Sequence, residues 1–289
     1  MAPFIARYVL GRPPEICDLC SCDDCGLMFF RTRYDDAEIV RLYAGYREER
    51  YLAVRHGFEP WYTRKFNDDI GSPVGVAPRQ QGYRAALTAH TDVGTIGSVL
   101  DYAGDQGQLM AGGPGRELFV FDISGATPVE GVIGIADEGD LDDRVFDVVL
   151  MCEIVEHFSE PSAQVKRVAK YVRPGGLLYI EVPDEQFRLE AIPRAPWYAA
   201  YLRRLARGRL GLLLLDFWST GFRVKFRAIP PLGFAKQHEH LNYFDVKSLT
   251  HLVLGAGLEV LECSTARTTG AVVALCRKGA EADVVAGGS

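Results

Sequence analysis

The stretch Ser98–Ser124, SVLDYAGDQGQLMAGGPGRELFVFDIS, constrains this chain most. It reads as an apolar strand, a glycine-bearing turn, a short helix and a second apolar strand. The first strand ends in Asp101, and the turn is Ala103-Gly104-Asp105-Gln106-Gly107. The second strand, Leu118 to Phe121, ends in Asp122, 21 residues after Asp101. In a βαβ unit the glycines let the backbone approach a ligand closely. An acid closing the second strand can accept hydrogen bonds from ribose hydroxyls. Acids at strand ends also occur without a ligand, but this spacing favours the ribose role.

From Ser98 onward strands and helices alternate. Gly131 to Ala136 is a third strand, followed by the acidic run Asp137 to Asp143; Phe146 to Met151 is a fourth strand. An amphipathic helix over Pro161 to Val172 and a turn at 173–176 lead to a fifth strand, Leu177 to Val182. From about 184 to 237 the alternation stops. A helix from Asp245 to Leu254, closed by Gly255-Ala256-Gly257, then precedes strands at Leu258 to Leu261 and Ala271 to Cys276. Near-continuous apolar strands between helices indicate a parallel sheet covered on both faces. The expected fold is α/β: a Rossmann-like, seven-stranded, mostly parallel doubly wound sheet. The expected divisions are an N-terminal cysteine-rich and helical arm over 1–70, a main domain over 84–278 with a lid insertion at about 184–237, and a frayed tail over 279–289.

The arm opens on ICDLCSCDDCGLMFF, with Cys17, Cys20, Cys22 and Cys25. Two C-x-x-C pairs are the pattern of a tetrahedral zinc site, each pair presenting two thiolates. Here only Ser21 separates them, so one ion would strain the backbone, and buried or free thiols are the competing reading. Asp35 to His56 reads as helical, with Ile39, Leu42, Tyr43 and Tyr46 on one face. The aromatic cluster Phe58, Trp61, Tyr62 and Phe66 reads as packing, with a substrate-pocket wall as the alternative. Gly71 to Gln81, with two prolines and two glycines before the final pair of glutamines, reads as a linker.

The net charge of −6 argues against general nucleic-acid binding. Arg7 inside the apolar run of Met1 to Leu10 and the absence of a small-residue cleavage site predict no signal peptide, so the cytoplasm is the expected compartment. A helix over Ala195 to Arg207 carries Arg203, Arg204 and Arg207 beside the apolar run Leu210 to Trp218. A lid over the active site leads a solvated helix face, and membrane-surface contact through 195–218 ranks last.

These motifs, in this order, resemble class I S-adenosylmethionine-dependent methyltransferases over residues 84–277. LDYAGDQG at 100–107 stands where the family has hydrophobic-Asp-x-Gly-x-Gly-x-Gly, and FDIS at 121–124 matches the acidic end of the second strand. FDVVLMCEIVEHFSEP at 146–161 is similar to the fourth-strand motif with its Glu-His pair, here Glu156-His157, and VRPGGLLYIEVP at 172–183 to the fifth-strand motif. HEHLNYF at 238–244 followed by a helix and GAGLEV is similar to the closing motif of a subgroup found beside sugar-modifying enzymes. In that subgroup a cysteine-rich knuckle precedes Cys-Gly-Leu-hydrophobic-Phe, as in Cys25-Gly26-Leu27-Met28-Phe29 here. Ala103 and Asp105 replace the first two motif glycines. The Asp105 carboxylate could repel the cofactor's carboxylate or bond its ammonium.

The resemblance implies S-adenosylmethionine as cofactor, with structural zinc as an addition. It places Asp122 on the ribose, Ile123 beside it among the cofactor-binding residues, Asp101 and the turn Ala103, Gly104, Asp105 and Gly107 at the methionine part, and Asp137 on the adenine amino group. The implied reaction is methyl transfer to a small polar acceptor, such as a sugar or glycan hydroxyl. A hydroxyl nucleophile needs a base, and His157, His238 and His240 are the candidates, each with a structural hydrogen-bonding role as its alternative. A methyltransferase-like scaffold without catalysis is the competing function. A nicotinamide-dependent oxidoreductase lacks its G-x-G-x-x-G.

Overall fold

The computed structural model describes residues 1–46, 48–188, 195–205, 207–266 and 268–280. In chain order its elements begin with β1 (Leu19–Ser21), β2 (Met28–Phe30), α1 (Asp36–Tyr43), α2 (Glu49–Phe58), α3 (Arg64–Ile70) and α4 (Pro73–His90). Then come β3 (Ser98–Tyr102), β4 (Glu117–Phe121), β5 (Ile133–Ile135), β6 (Phe146–Cys152), α5 (Pro161–Val168) and β7 (Val172–Pro183). The last are α6 (Pro196–Leu205), α7 (Arg209–Phe226), β8 (Asn242–Tyr243), α8 (Val246–Gly255), β9 (Leu258–Ala266) and β10 (Ala271–Lys278). Two units result. The first holds Met1–Gly75, Glu156–Ser159 and Pro183–Ser248; the second holds Val76–Val155, Glu160–Val182 and the chain from Leu249 onward.

The second unit carries a seven-stranded sheet in the order β5-β4-β3-β6-β7-β10-β9. β5, β4, β3, β6 and β7 pair in parallel, and β9 and β10 pair antiparallel. This is the expected mostly parallel, doubly wound arrangement. In β6, Val148, Val149, Leu150 and Met151 are all buried although successive side chains point to opposite faces. Both faces are therefore covered, which is why the strands lack a polar alternation. The direction of strand order reverses at β3 and β6, and the carboxyl ends beside such a switch point are where ligands bind in open α/β sheets.

The first unit has a small antiparallel sheet, β1-β2-β8, with Met28 opposite Tyr243 and Phe29 opposite Asn242. One apolar cluster gathers Phe4, Ile5, Tyr34, Leu42, Tyr51 and Leu241; another gathers Met28, Phe30, Phe187, Ile229 and Tyr243. The Asn242 side-chain Nδ2 donates to the carbonyls of Glu156 (3.2 Å) and Phe158 (2.8 Å), and its Oδ1 accepts from Arg33 (2.9 Å). The Leu241 amide adds a bond to the Glu156 carbonyl at 2.8 Å. Short segments far apart in sequence are thus stitched together by the Asn242 side chain and one backbone bond.

Several local readings change. The short helix expected between β3 and β4 is a succession of turns. The helix expected over 35–56 is two helices, because Gly45 turns left-handed (φ +67°) between them. Asp35 does start the first, in a capping box with Glu38. The 71–81 linker is mostly helix: Pro73 occupies the first turn, where its missing N–H has no intrahelical partner, and the Ser72 hydroxyl accepts from the Gly75 amide at 3.1 Å. The turn at 173–176 lies inside the long strand β7, with Gly175 at φ +74°. The expected tail lies outside the described residues from 281 onward, as do 189–194 and 206 within the expected lid.

Helix formation over 73–90 brings Arg79 to β7. Its Nε donates to Glu181 Oε1 at 2.5 Å, while the Tyr179 hydroxyl donates to Oε2 at 3.2 Å. Glu181 is 1% exposed, so it depends on this counter-charge. Arg79→Met is expected to destabilise the protein by about 3 kcal/mol in urea unfolding. The double variant Arg79→Met/Glu181→Met should recover much of that loss, and equal stability of the single variant and wild type would refute the dependence.

Candidate functional site

The turn after β3 explains what the motif glycines are for. Ala103 (φ +61°), Asp105 (φ +55°) and Gly107 (φ +73°) all take the left-handed conformation. Glycine adopts it freely, whereas other residues are strained by about 1–2 kcal/mol. Ala103 and Asp105 therefore hold this left-handed backbone at a conformational cost. Gly104 meets a different constraint: a Cβ there would lie 2.2 Å from Asp101 Cγ, so no side chain fits.

The acids around this turn converge. Asp101 is 2% exposed, and its Oδ1 has no hydrogen-bond partner among the described residues. Asp122 accepts from the Asp105 amide (Oδ2, 2.8 Å) and the Ser124 amide (Oδ1, 2.8 Å). Those bonds orient the carboxylate and leave lone pairs for further donors. The Asp105 carboxylate accepts from the Gln108 amide at 3.1 Å. Ile123 is 55% exposed beside Asp122. Asp137 is exposed and accepts from the Gly139 amide at 2.7 Å, closing its own turn. The site offers acceptors and negative charge, which suit a ligand with hydroxyl donors and a positive charge. An unpartnered buried carboxylate oxygen and a cradle closed to any side chain fit a cofactor such as S-adenosylmethionine, which carries an ammonium and a sulfonium.

Burial pushes the Asp101 carboxyl up to about 7; Arg79 opposes that shift, and Asp122 and Asp105 add to it. Unfolding returns the group to its ordinary value near 3.8. The folded state therefore holds the extra proton between those values. Its contribution to stability is complete below about pH 4 and is lost as pH rises to about 7. The loss is on the order of 4 kcal/mol. Asp101→Asn should gain stability relative to wild type as pH is raised from 4 to 8 in denaturant titrations, and a constant difference across that range would contradict it.

The first unit brings all three candidate histidines together. The His157 and His240 ring centroids are 4.7 Å apart, and those of His238 and His240 4.9 Å. His240 Nδ1 donates to Glu185 Oε2 at 2.6 Å. His157 Nδ1 lies 3.0 Å from the Tyr43 hydroxyl and 3.2 Å from the Glu239 carbonyl. His238 Nδ1 meets Glu239 Oε2 at 3.2 Å, and Glu239 Oε1 meets Arg55 Nη2 at 2.5 Å. Burial drives His157 down to about 3 and also lowers His238. Burial opposes charge on His240 too, but Glu185, with Glu156 and Glu239 behind it, lifts it to about 9. Glu185 suffers burial, yet His240 and Arg223 hold it well below the usual carboxylate range.

Beside this cluster lies a cavity of about 370 Å³, lined by Trp61, Phe66, Phe217, Arg223, Lys236, Glu185, His238 and Glu239 among others. His238 is the one candidate histidine on its lining. Lys236 stands 4.8 Å from the Trp61 ring centroid and is held by Glu59 (3.1 Å) and Asp216 (2.9 Å). A second cavity of about 520 Å³ shares Glu59, Trp61, Asp216, Phe234 and Lys236 with the first, and Phe58, Leu212 and Leu213 help to line it. Sequence reasoning passed over Tyr43, Arg55 and Glu185 because each lies in a segment remote from the motif histidines. No local pattern marks them.

Cys22 and Cys25 share a tight turn in which the Gly26 amide donates to the Cys22 carbonyl at 2.9 Å. Cys17 donates to the Glu15 carbonyl at 3.9 Å, and Cys20 accepts from Arg31 at 3.8 Å. Among the described residues, no three of these thiols gather as ligands for one ion.

Residues 43–263 match the family model described as a methyltransferase domain. The chain belongs to this family, within the class I S-adenosylmethionine-dependent methyltransferases. Among solved structures it is similar to an O-methyltransferase family protein from Burkholderia thailandensis: 15% identity over 80% of this chain and 64% of that chain, TM-score 0.46. It is also similar to the 1,6-didemethyltoxoflavin-N1-methyltransferase of Burkholderia thailandensis, solved with 1,6-didemethyltoxoflavin and S-adenosylhomocysteine. There the identity is 16% over 91% of this chain and 99% of that chain, with a TM-score of 0.49. This chain thus spans less than two thirds of the first relative's length. No curated protein matches it. Among the described residues, no helix is long and apolar enough to cross a membrane.

Proposed function

We propose that this chain transfers the methyl group of S-adenosylmethionine to a hydroxyl of a small polyhydroxylated acceptor of the sugar or glycan class, in the cytoplasm. The carrying observation is the 370 Å³ cavity, where aromatic faces alternate with carboxylates, cations and His238. Sugars present both apolar ring faces and dense hydroxyl donors and acceptors, and such a wall answers both. The α7 side chains Asp216, Phe217 and Arg223 on that wall support the lid reading of this segment.

When bound, S-adenosylmethionine supplies a methyl group already activated on a sulfonium. The chain has to hold, orient and deprotonate. Asp122 takes the ribose hydroxyls, with its carboxylate oriented by two amides. Asp101 and the turn 103–107 face the methionine part, Ile123 offers an apolar surface to the adenine, and Asp137 takes the adenine amino group. His238 takes the acceptor hydroxyl proton. It lines the cavity, and Glu239 orients its ring, held in turn by Arg55. Positioning of this kind supplies several kcal/mol of catalysis.

Calorimetric titration with S-adenosylmethionine tests the cofactor half. Asp122→Ala should weaken binding at least tenfold, or about 1.4 kcal/mol. Absence of binding to the wild type would favour the inactive scaffold reading, for which Asp105 in place of a motif glycine is the argument. Methyl transfer to a panel of monosaccharides and sugar nucleotides tests the acceptor half. His238→Gln should lower kcat by about a hundredfold or more with cofactor affinity unchanged. Transfer confined to amines or carbon would rule out the hydroxyl assignment.

A further inference from the structure

We infer that Glu156, His157 and His240 form a binding site for one divalent first-row transition-metal ion, separate from the cysteine cluster. Each residue offers one ligand atom, and the three atoms lie within 4.8 Å of one another. Glu156 Oε1 is 3.7 Å from His157 Nε2 and 4.0 Å from His240 Nε2. Two ligands about 2.0–2.2 Å from a shared ion stand at most about 4.4 Å apart, and both distances to Glu156 fall within that span. Two imidazoles and one carboxylate suit zinc, cobalt, manganese or iron in their divalent states.

The atoms behind the ligands strengthen the assignment. A ligating imidazole normally directs its second nitrogen to a carboxylate, carbonyl or similar partner, which fixes the ring. Both rings here do so through Nδ1: His240 toward Glu185 at 2.6 Å, and His157 toward the Glu239 carbonyl at 3.2 Å and the Tyr43 hydroxyl at 3.0 Å. The two Nε2 atoms are thereby turned toward the carboxylate of Glu156, which is 1% exposed. The Glu156 and Phe158 carbonyls are tied to Asn242, so the backbone carrying two ligands is held as well. Three protein ligands leave a position open, as in catalytic rather than structural sites. Metal binding does not rest on the methyl-transfer reading.

The test uses the full chain stripped with a chelator and titrated with Co²⁺. One equivalent should bind, with visible bands of nitrogen and oxygen ligation and no thiolate-to-cobalt charge transfer. Glu156→Gln and His240→Gln should each weaken binding at least tenfold. Glu185→Gln, at a positioning residue, should weaken it by about 10–100-fold. A Cys22→Ser/Cys25→Ser variant should bind as wild type does. Failure of the wild type to bind cobalt, or a thiolate band lost in the cysteine variant, would overturn the site. Titration with S-adenosylmethionine in parallel reports folding of each variant and judges the methyltransferase reading separately.

Discussion

The second unit turns on one crowded contact, between the buried Asp101 carboxyl and the backbone at Gly104. The carboxyl stands where a side chain at 104 would have to go, so the chain leaves β3 hugging it. That path forces left-handed backbone at Ala103, Asp105 and Gly107 and sends the Asp105 amide to Asp122. A short acidic turn results, with its acids in fixed positions and Arg79 as the compensating charge. Like charges at low dielectric either hold a proton or draw in a cation. A proton on Asp101 and a positively charged ligand are therefore two answers to the same electrostatic problem.

The first unit solves a related problem with histidines. Glu156, Glu185 and Glu239 are brought among three imidazoles and Arg55, and nearly every charge has a named counterpart. The placement depends on hydrogen bonds to the carbonyls of the Glu156–Phe158 segment, from the Leu241 backbone amide and the Asn242 side-chain amide. Because each imidazole is fixed through Nδ1, its Nε2 is left with a defined direction. Such a cluster is built to present nitrogen lone pairs or protons at chosen points, which is the common requirement of acid–base chemistry and metal ligation.

Local chemistry was legible where the signal was local. The central strands β3, β6 and β7 showed as apolar runs because both of their faces are buried. The turn showed through its glycines, and the capping acids at Asp35 showed the start of α1. Errors arose where a residue type has two meanings. Pro73 and Pro78 looked like loop punctuation over 71–81, but a proline in the first turn of a helix loses no hydrogen bond, and one further in loses a single bond. Gly45 went unread as a break because the apolar spacing continues through it. Asp105 reads as either repelling or bonding the cofactor; the fold adds that its carboxylate accepts from the Gln108 side-chain amide and that its backbone is left-handed.

The sheet class, the order of its motifs, the acid at the end of each early strand and the set of histidines worth watching are all written along the chain. Those features follow from periodicity and from neighbours within a few residues. Folding in three dimensions settles which histidine lines a cavity, which carboxylate faces which imidazole, and that Glu156, His157 and His240 converge while, among the described residues, the four cysteines gather no three ligands. These are distances between segments as far apart as residues 43, 156, 185 and 240. They are set by packing and by backbone hydrogen bonds across the fold, and no spacing along the chain encodes them.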